Sequence, residues 1–157
     1  MPQPLLVSEP EARPELDRVL RQRFGFPTFR PGQRGICQHV ADGEDALVVM
    51  PTGAGKSLCY QLPALARGGT TIVVSPLLAL MKDQVDALVA RGVRATAINS
   101  TITGDERRRR MDGLRRGEFE LVYVAPERFS DAFIRAMADV PLRLLAIDEA
   151  HCVSQWG

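Results

Sequence analysis

A glycine-rich turn between an apolar run and a helix-like stretch constrains the fold of this chain more than any other feature. The apolar residues 46–49 lead into Met50-Pro-Thr-Gly-Ala-Gly-Lys-Ser57, and Leu-Cys-Tyr-Gln-Leu follows. Strand, glycine-rich turn and helix in this order are typical of a phosphate-binding loop, in which backbone N–H groups surround phosphate oxygens. Met50 stands where the strict pattern has glycine, but the groups that touch phosphate are kept. A turn without a ligand is the alternative interpretation.

Two carboxylates far along the chain complete a candidate ATP site. The segment Leu144-Leu-Ala-Ile-Asp148-Glu149-Ala-His151 ends an apolar run in adjacent acids. We predict that Lys56 neutralises the outer phosphates and that the Ser57 hydroxyl holds Mg²⁺. Asp148 is expected to bind the metal through water, and Glu149 to orient and deprotonate the attacking water. Chance acids at a solvated strand end are the alternative for this pair, but the two segments together predict an ATP-dependent NTPase.

The remaining segments alternate between helix-like and strand-like patterns, which predicts an α/β fold with an open parallel sheet and flanking helices. Apolar runs without strict alternation indicate strands that are buried on both faces. Residues 1–13 are expected to form a flexible leader, and residues 14–157 a single domain. The predicted strands are residues 46–50, 70–75, 94–99, 120–125 and 142–148. The predicted helices are residues 14–23, 32–41, 56–66, 77–91, 104–116 and 127–138.

Composition narrows the classes of function. With 45% hydrophobic and 25% charged residues, the 157-residue chain is typical of one globular domain. The net charge of +1 does not indicate a polyanionic partner, so any nucleic-acid surface must be local. Cys37, Cys59 and Cys152 lack metal-ligand spacing, and no apolar run approaches the roughly 20 residues that span a bilayer. We therefore expect a cytoplasmic protein, nucleoid-associated if bacterial, with no membrane partner.

A series of motifs resembles, in the same order, those of RecQ-type DNA helicases, which are superfamily 2 DEAH-box enzymes. The resemblance runs from about Leu16 to the last residue and is most specific in the terminal sequence Asp-Glu-Ala-His-Cys-Val-Ser-Gln-Trp-Gly. It implies the ATP-binding part of an ATP-dependent 3′–5′ DNA helicase, an incomplete RecA-like domain whose partners are single-stranded and forked DNA. The motif segments are residues 20–33, 50–61, 75–85, 99–101, 123–128 and 148–157.

The resemblance also implies roles for individual residues of the nucleotide site. Gln33 is expected to read the adenine edge with its side-chain amide, and Phe26 and Arg30 are expected to line the adenine pocket. Packing between helix and loop is the alternative for Gln33 and for the nearby Phe24 and Phe29. His151 would couple the ATP site to bound DNA. The phosphate-binding loop is expected to comprise Thr52, Gly53, Ala54, Gly55, Lys56 and Ser57.

Candidate DNA contacts lie where predicted strands give way to helices. Ser75-Pro76 and Pro126-Glu127 each place a proline near the first turn of a helix, which leaves free N–H groups for the phosphates of a single strand. Helix capping alone is the alternative. The resemblance adds Trp156, expected to sense single-stranded DNA and to signal to Glu149 and His151, although a lone tryptophan is also common in a core. The other candidate DNA contacts are Lys82, Asn99 and Ser100.

The resemblance further predicts that the chain is a fragment that ends after the DEAH box and cannot unwind DNA alone. In RecA-like sheets of this class, the strand after the Asp-Glu pair lies between the phosphate-loop strand and the strand that carries the pair. We therefore expect no direct ladder between residues 46–50 and 142–148, and an apolar slot between them. The alternative functions are a non-catalytic nucleotide- or DNA-binding product and a superfamily 2 translocase without strand separation.

Overall fold

Six α-helices and four β-strands make up the part of the chain that the computed structural model describes, residues 14–51 and 53–155. The expected leader, Thr52 and Trp156 lie outside the described residues. The helices are α1 Pro14–Phe24, α2 Gln33–Ala41, α3 Leu58–Arg67, α4 Leu78–Ala90, α5 Gly104–Arg115 and α6 Asp131–Ala136. The strands are β1 Thr70–Val74, β2 Ala95–Ile98, β3 Leu121–Val124 and β4 Leu142–Ile147.

The strands form one parallel sheet in the order β2-β3-β1-β4, which confirms the predicted fold class. Thr71 of β1 pairs with Leu121 of β3 and with Leu144 of β4, and Ala95 of β2 also pairs with Leu121. Every residue of β1, β2 and β3 is buried. This burial explains why their sequences do not alternate between apolar and charged residues, because helices cover both faces of a parallel sheet.

Two hydrophobic clusters, one on each face, hold the helices to the sheet. Alternate strand residues point to opposite faces. On one face, Val73 and Tyr123 pack with residues of α1, α2, α3 and α4. On the other face, Ile72 and Val124 pack with residues of α5 and α6. None of the described helices is both long and apolar enough to cross a membrane.

The prediction of a strand at residues 46–50 is wrong. This segment has no regular secondary structure, and Leu47 and Val49 are 87% and 89% exposed. Both sides of β1 are already paired, with β3 and with β4, and a cavity separates the segment from the outer side of β4. An apolar run without a partner for its backbone groups remains open to water. The expected absence of a ladder between residues 46–50 and β4 holds for the described residues.

The predicted helix 127–138 is divided into three shorter elements. A 3-10 turn at Pro126–Arg128 precedes α6, and a second one at Met137–Asp139 follows it. The division arises because the Ser130 hydroxyl accepts a hydrogen bond from the Phe133 backbone N–H at 3.2 Å and so begins a new helix. A third 3-10 segment, Ala150–Gln155, follows β4. Helix α3 also begins later than predicted, at Leu58, so Lys56 and Ser57 lie in the turn before it.

Amide hydrogen exchange should separate the two kinds of apolar segment. We expect rapid exchange at residues 46–50 and slow exchange throughout β3, because β3 is paired on both sides and buried. In β4 we expect alternation. The Asp148 backbone N–H donates to Val74 O at 2.9 Å. The Ala146 N–H therefore also points toward β1 and should exchange slowly, whereas the N–H groups of Leu145 and Ile147 point to the unpaired side of β4 and should exchange rapidly. Uniformly slow exchange at residues 46–50 would contradict this description of the sheet.

Candidate nucleotide-binding site

Because the sheet is parallel, the carboxyl ends of all four strands lie at the same end of the sheet. Each ladder continues one residue beyond its strand through a backbone hydrogen bond. The three bonds run from Ala125 N to Ile98 O at 3.2 Å, from Ser75 N to Val124 O at 3.2 Å, and from Asp148 N to Val74 O at 2.9 Å. This end of the sheet is where open parallel sheets bind ligands. The arrangement places the candidate DNA residues next to the candidate ATP residues.

The predicted phosphate-binding loop is held by side chains that precede it in the chain. Gln33 Nε2 donates to Gly55 O at 3.0 Å, and Arg30 Nη1 donates to Gly53 O at 2.8 Å. Gln33 Oε1 in turn accepts from the Arg30 backbone N–H at 2.8 Å. Gly53 and Gly55 have φ angles of 83° and 78°, and a Cβ atom on Gly55 would lie 2.3 Å from Gln33 Nε2. The backbone conformation at position 55 therefore favours glycine, and a larger residue would displace the Gln33 amide from its hydrogen bond to Gly55 O.

Four predicted catalytic side chains meet at the end of β4. Lys56 Nζ lies 3.9 Å from Glu149 Oε1, and His151 Nε2 lies 3.3 Å from Glu149 Oε2. The Glu149 backbone N–H donates to Asp148 Oδ1 at 3.0 Å. Glu149 has a φ of 55°. Residues other than glycine rarely adopt this conformation, and those that do are often found at functional sites. The motifs that the sequence separates are thus brought together.

Two cavities flank the phosphate-binding loop. The first, of about 350 Å³, is lined by Phe26, Arg30, Gln33, Gly55 and Ser57 together with one side of α4. The second, of about 780 Å³, runs between residues 44–50 and β4 and is lined by Lys56 and by residues 148–151. The two predicted metal ligands, Ser57 and Asp148, therefore line different cavities.

The aromatic residues before the loop differ in their surroundings. Phe24 is buried in the core at 4% exposure, whereas Phe26 is 44% exposed in the first cavity. The Arg91 guanidinium lies 5.5 Å from the centre of the Phe26 ring and donates to Phe24 O. The Arg34 guanidinium lies 5.7 Å from the Phe29 ring centre. Packing accounts for Phe24 and Phe29, and Phe26 keeps a face that a ligand could use.

The candidate DNA residues differ in position and in accessibility. Ser75 is 1% exposed and Asn99 is 7% exposed. Asn99 Oδ1 accepts hydrogen bonds from Thr101 N at 2.9 Å and from Thr101 Oγ1 at 2.6 Å, so it shapes the turn after β2. Lys82 is exposed and forms an ion pair with Asp86 at 2.5 Å. Ser100 is exposed, and Pro76 and Pro126 are half-buried at the ends of β1 and β3.

Sequence reasoning missed a group of hydroxyl and amide side chains around Asp148. The ring centres of Tyr60 and Tyr123 lie 6.4 Å apart. The Tyr60 hydroxyl donates a hydrogen bond to Gln84, and the Tyr123 hydroxyl accepts one from Gln61. Burial is the main cause of a raised pKa at both phenols, and it raises the pKa of Tyr123 to about 12. One signal was available in the sequence, since Tyr60 follows Lys56 by four residues and so lies one helical turn beyond it.

Comparison with known proteins places this geometry in a family. The DEAD/DEAH box helicase family matches residues 30–157. The chain belongs to this family. Among its helicase relatives, ATP-dependent DNA helicase RecQ of Bacillus subtilis is 49% identical over 141 residues, which cover 88% of this chain and 24% of that protein. ATP-dependent DNA helicase RecQ of Haemophilus influenzae is 45% identical over 153 residues, which cover 97% of this chain and 25% of that protein.

These DEAD/DEAH relatives confirm the resemblance to RecQ-type helicases that the motifs indicated. The chain spans about a quarter of the length of the RecQ proteins it matches. A crystal structure of a hypothetical ATP-dependent RNA helicase from Sulfolobus tokodaii superimposes with a TM-score of 0.70 at 20% identity, covering 90% of this chain and 42% of that one. That likeness supports the helicase-type fold.

Replacing Gly55 should disturb the phosphate-binding loop. We expect Gly55→Ala to lower the free energy of unfolding by about 1–3 kcal/mol, since the new Cβ atom meets Gln33 in a backbone conformation that alanine disfavours. Gly35→Ala is the matched control, because Gly35 lies in α2 with open space around it and helical alanine is favoured. Denaturant unfolding measures both. Equal effects of the two substitutions would contradict the close approach at Gly55.

The phenols predict how stability depends on pH. Since the pKa of Tyr123 rises from its ordinary 10 to about 12 on folding, its contribution to stability is complete below pH 10 and is lost as pH rises through 12. We expect tyrosinate absorbance to appear in the folded chain at higher pH than in the chain unfolded by denaturant. A folded chain that ionises both tyrosines near pH 10 would show that they are not buried as described.

Proposed function

We propose that this chain is the ATP-binding part of a RecQ-like ATP-dependent 3′–5′ DNA helicase, which couples hydrolysis to movement on single-stranded DNA and to duplex unwinding. The observation that carries the proposal is the convergence of Lys56, Asp148, Glu149 and His151 at the end of β4, beside the phosphate-binding loop. The 49% identical relative is an ATP-dependent DNA helicase, which supports DNA as the polymer.

The residues present fit Mg²⁺ and the phosphates of ATP. An ammonium, a hydroxyl and two carboxylates are the donor set that suits phosphate oxygens and a hard divalent cation. In this proposal Ser57 and Asp148, which line different cavities of the structure, would together hold the ion, and it would supply neutralising charge at the phosphates. Lys56 binds the outer phosphates from its position at the second cavity. The adenine base of ATP lies in the first cavity, against Phe26, Arg30 and Gln33.

Glu149 is suited to act on water because of its immediate neighbours. Its two carboxylate oxygens face different partners, Lys56 at 3.9 Å and His151 at 3.3 Å. We propose that Glu149 orients and deprotonates the attacking water. His151 is exposed and touches Glu149, so a change at the DNA surface that moves His151 would also move the Glu149 carboxylate.

Single-stranded and forked DNA are the proposed partners of the adjacent strand ends. The ends of β1, β2 and β3 lie in a row next to the ATP residues. Pro76 and Pro126 stand where backbone N–H groups begin new helical turns, and such groups bind phosphates without reading bases. Contacts of Ser75, Lys82, Asn99 and Ser100 with DNA are part of this proposal, and so is the sensing role of Trp156.

The sequence contains two lysines, which provide a matched test. We expect Lys56→Ala to weaken Mg-ATP binding at least about tenfold, because it removes a charge-assisted contact to phosphate. Lys82→Ala should leave the affinity within about twofold, since Lys82 is an exposed residue on α4 that pairs with Asp86. Equilibrium titration of each variant with Mg-ATP, without DNA, measures the difference.

Retained affinity in Lys56→Ala would remove the assignment of the phosphate-binding loop. A matched loss in Lys82→Ala would also contradict it, because the effect would then follow from a general loss of positive charge. Thermal unfolding of both variants checks that each is folded. Lys56 is partly exposed and its contact with Glu149 is long, so we expect little change in stability on its removal.

A further inference from the structure

One hydroxyl oxygen joins Asp148 to two other elements of the fold. Tyr60 on α3 donates its hydroxyl hydrogen to Gln84 Oε1 on α4 at 2.7 Å. The same oxygen lies 3.3 Å from the Tyr123 hydroxyl on β3 and 3.4 Å from Asp148 Oδ2. Gln61 Nε2 donates to the Tyr123 hydroxyl at 2.8 Å, which holds that partner in place. The Tyr60 hydroxyl is thus a junction between the carboxylate, α4 and β3.

The Tyr60 hydroxyl carries one hydrogen, and two acceptors are within reach of it. Gln84 Oε1 is the nearer acceptor, and Asp148 Oδ2 is farther but charged, which strengthens a hydrogen bond to it. The other carboxylate oxygen, Asp148 Oδ1, already accepts from the Glu149 backbone N–H. Tyr123 can donate its own hydrogen to the Tyr60 oxygen, so the Tyr60 hydrogen remains available to either acceptor.

We propose that Tyr60 is a positioning residue for Asp148, and that it ties the position of this carboxylate to Gln84 on α4. The inference rests on the proposed function, in which Asp148 holds Mg²⁺. Tyr60 lies one helical turn beyond Lys56 and Ser57, so it moves with the phosphate-binding loop. Helix α4 begins just after Ser75-Pro76, so the same hydroxyl connects the Asp148 carboxylate to a helix that follows proposed DNA contacts.

The two tyrosines are the only ones in the sequence, which makes the network observable. With tyrosine isotope-labelled at Cζ, two NMR signals are expected, and Tyr60→Phe and Tyr123→Phe assign them. Asp148→Asn removes the carboxylate charge at nearly constant size. We expect it to move the Tyr60 signal more than the Tyr123 signal. An unmoved Tyr60 signal, or equal movement of both signals, would overturn the contact, and this measurement requires no nucleotide.

The positioning role is tested by the Mg²⁺ dependence of nucleotide affinity. The Kd for ADP is measured with excess Mg²⁺ and with excess EDTA, and the ratio of the two values is compared between variants. A general loosening of the site cancels in this ratio. We expect Tyr60→Phe to reduce the gain from Mg²⁺ about fivefold, whereas Tyr123→Phe, which removes a hydroxyl from the same network, should leave it within about twofold.

The outcomes separate this proposal from the proposed function. An unchanged ratio in Tyr60→Phe, or equal losses in both variants, would overturn the positioning role. If the wild-type chain gains no affinity from Mg²⁺, the proposed function and the positioning role both fail, while the NMR comparison still decides whether Tyr60 touches Asp148. A loss confined to Tyr60→Phe supports the role.

Gln84→Met tests the competition for the hydroxyl hydrogen. Removing the nearer acceptor should turn the hydrogen toward Asp148, so Asp148→Asn should move the Tyr60 signal farther in the Gln84→Met background than in the wild type. An equal or smaller movement would overturn the link between Gln84 and Asp148.

Discussion

Hydrogen bonding between parallel strands is the constraint on which the candidate site depends, and β1 and β4 keep one register from the Thr71–Leu144 pair to the Val74–Ile147 pair after a shift at Thr70. The ladders run past the ends of β1, β3 and β4 by one residue and so align Ser75, Ala125 and Asp148 along one edge. A shift of β4 by a single residue would turn Asp148 to the other face of the sheet. After the register shift at Thr70, the ladder of hydrogen bonds to β1, every residue of which is buried, fixes the position of β4 up to Asp148.

The same pairing leaves the outer side of β4, an end strand of the sheet, without a ladder partner among the described residues. Leu145 and Ile147 of β4 are 53% and 48% exposed, and Leu47 and Val49 on the facing segment are more exposed still. A cavity of about 780 Å³ separates the two apolar surfaces. It lies where the family resemblance predicted an additional strand. Exposed apolar surface of this kind is a site of association, so this edge rather than the helical faces should govern the solubility of the chain.

Strands β1 to β3 were predictable because burial on both faces favours a largely apolar sequence, whereas β4 contains Arg143 and is mostly exposed. Residues 46–49 have the same composition and yet form no strand, since a strand also needs ladder partners that local sequence does not reveal. Ser130 interrupts the last helix through a side-chain cap that is visible in sequence only in retrospect. The meeting of Lys56 with Glu149 followed from the motifs, whereas the contact of Tyr60 with Gln84 depends on how α3 packs beside α4.

The pairing of Lys56 with Glu149 bears on the order of events in the proposed reaction. The two side chains are partly exposed and 3.9 Å apart, so their attraction is screened by water and easily exchanged. Phosphate carries more negative charge than a carboxylate and competes for the ammonium. If Lys56 binds phosphate as proposed, Glu149 would lose that neighbour, keep His151 and be free to bind water. In that proposal the side chain that binds phosphate would also release Glu149, so activation of water would follow nucleotide binding.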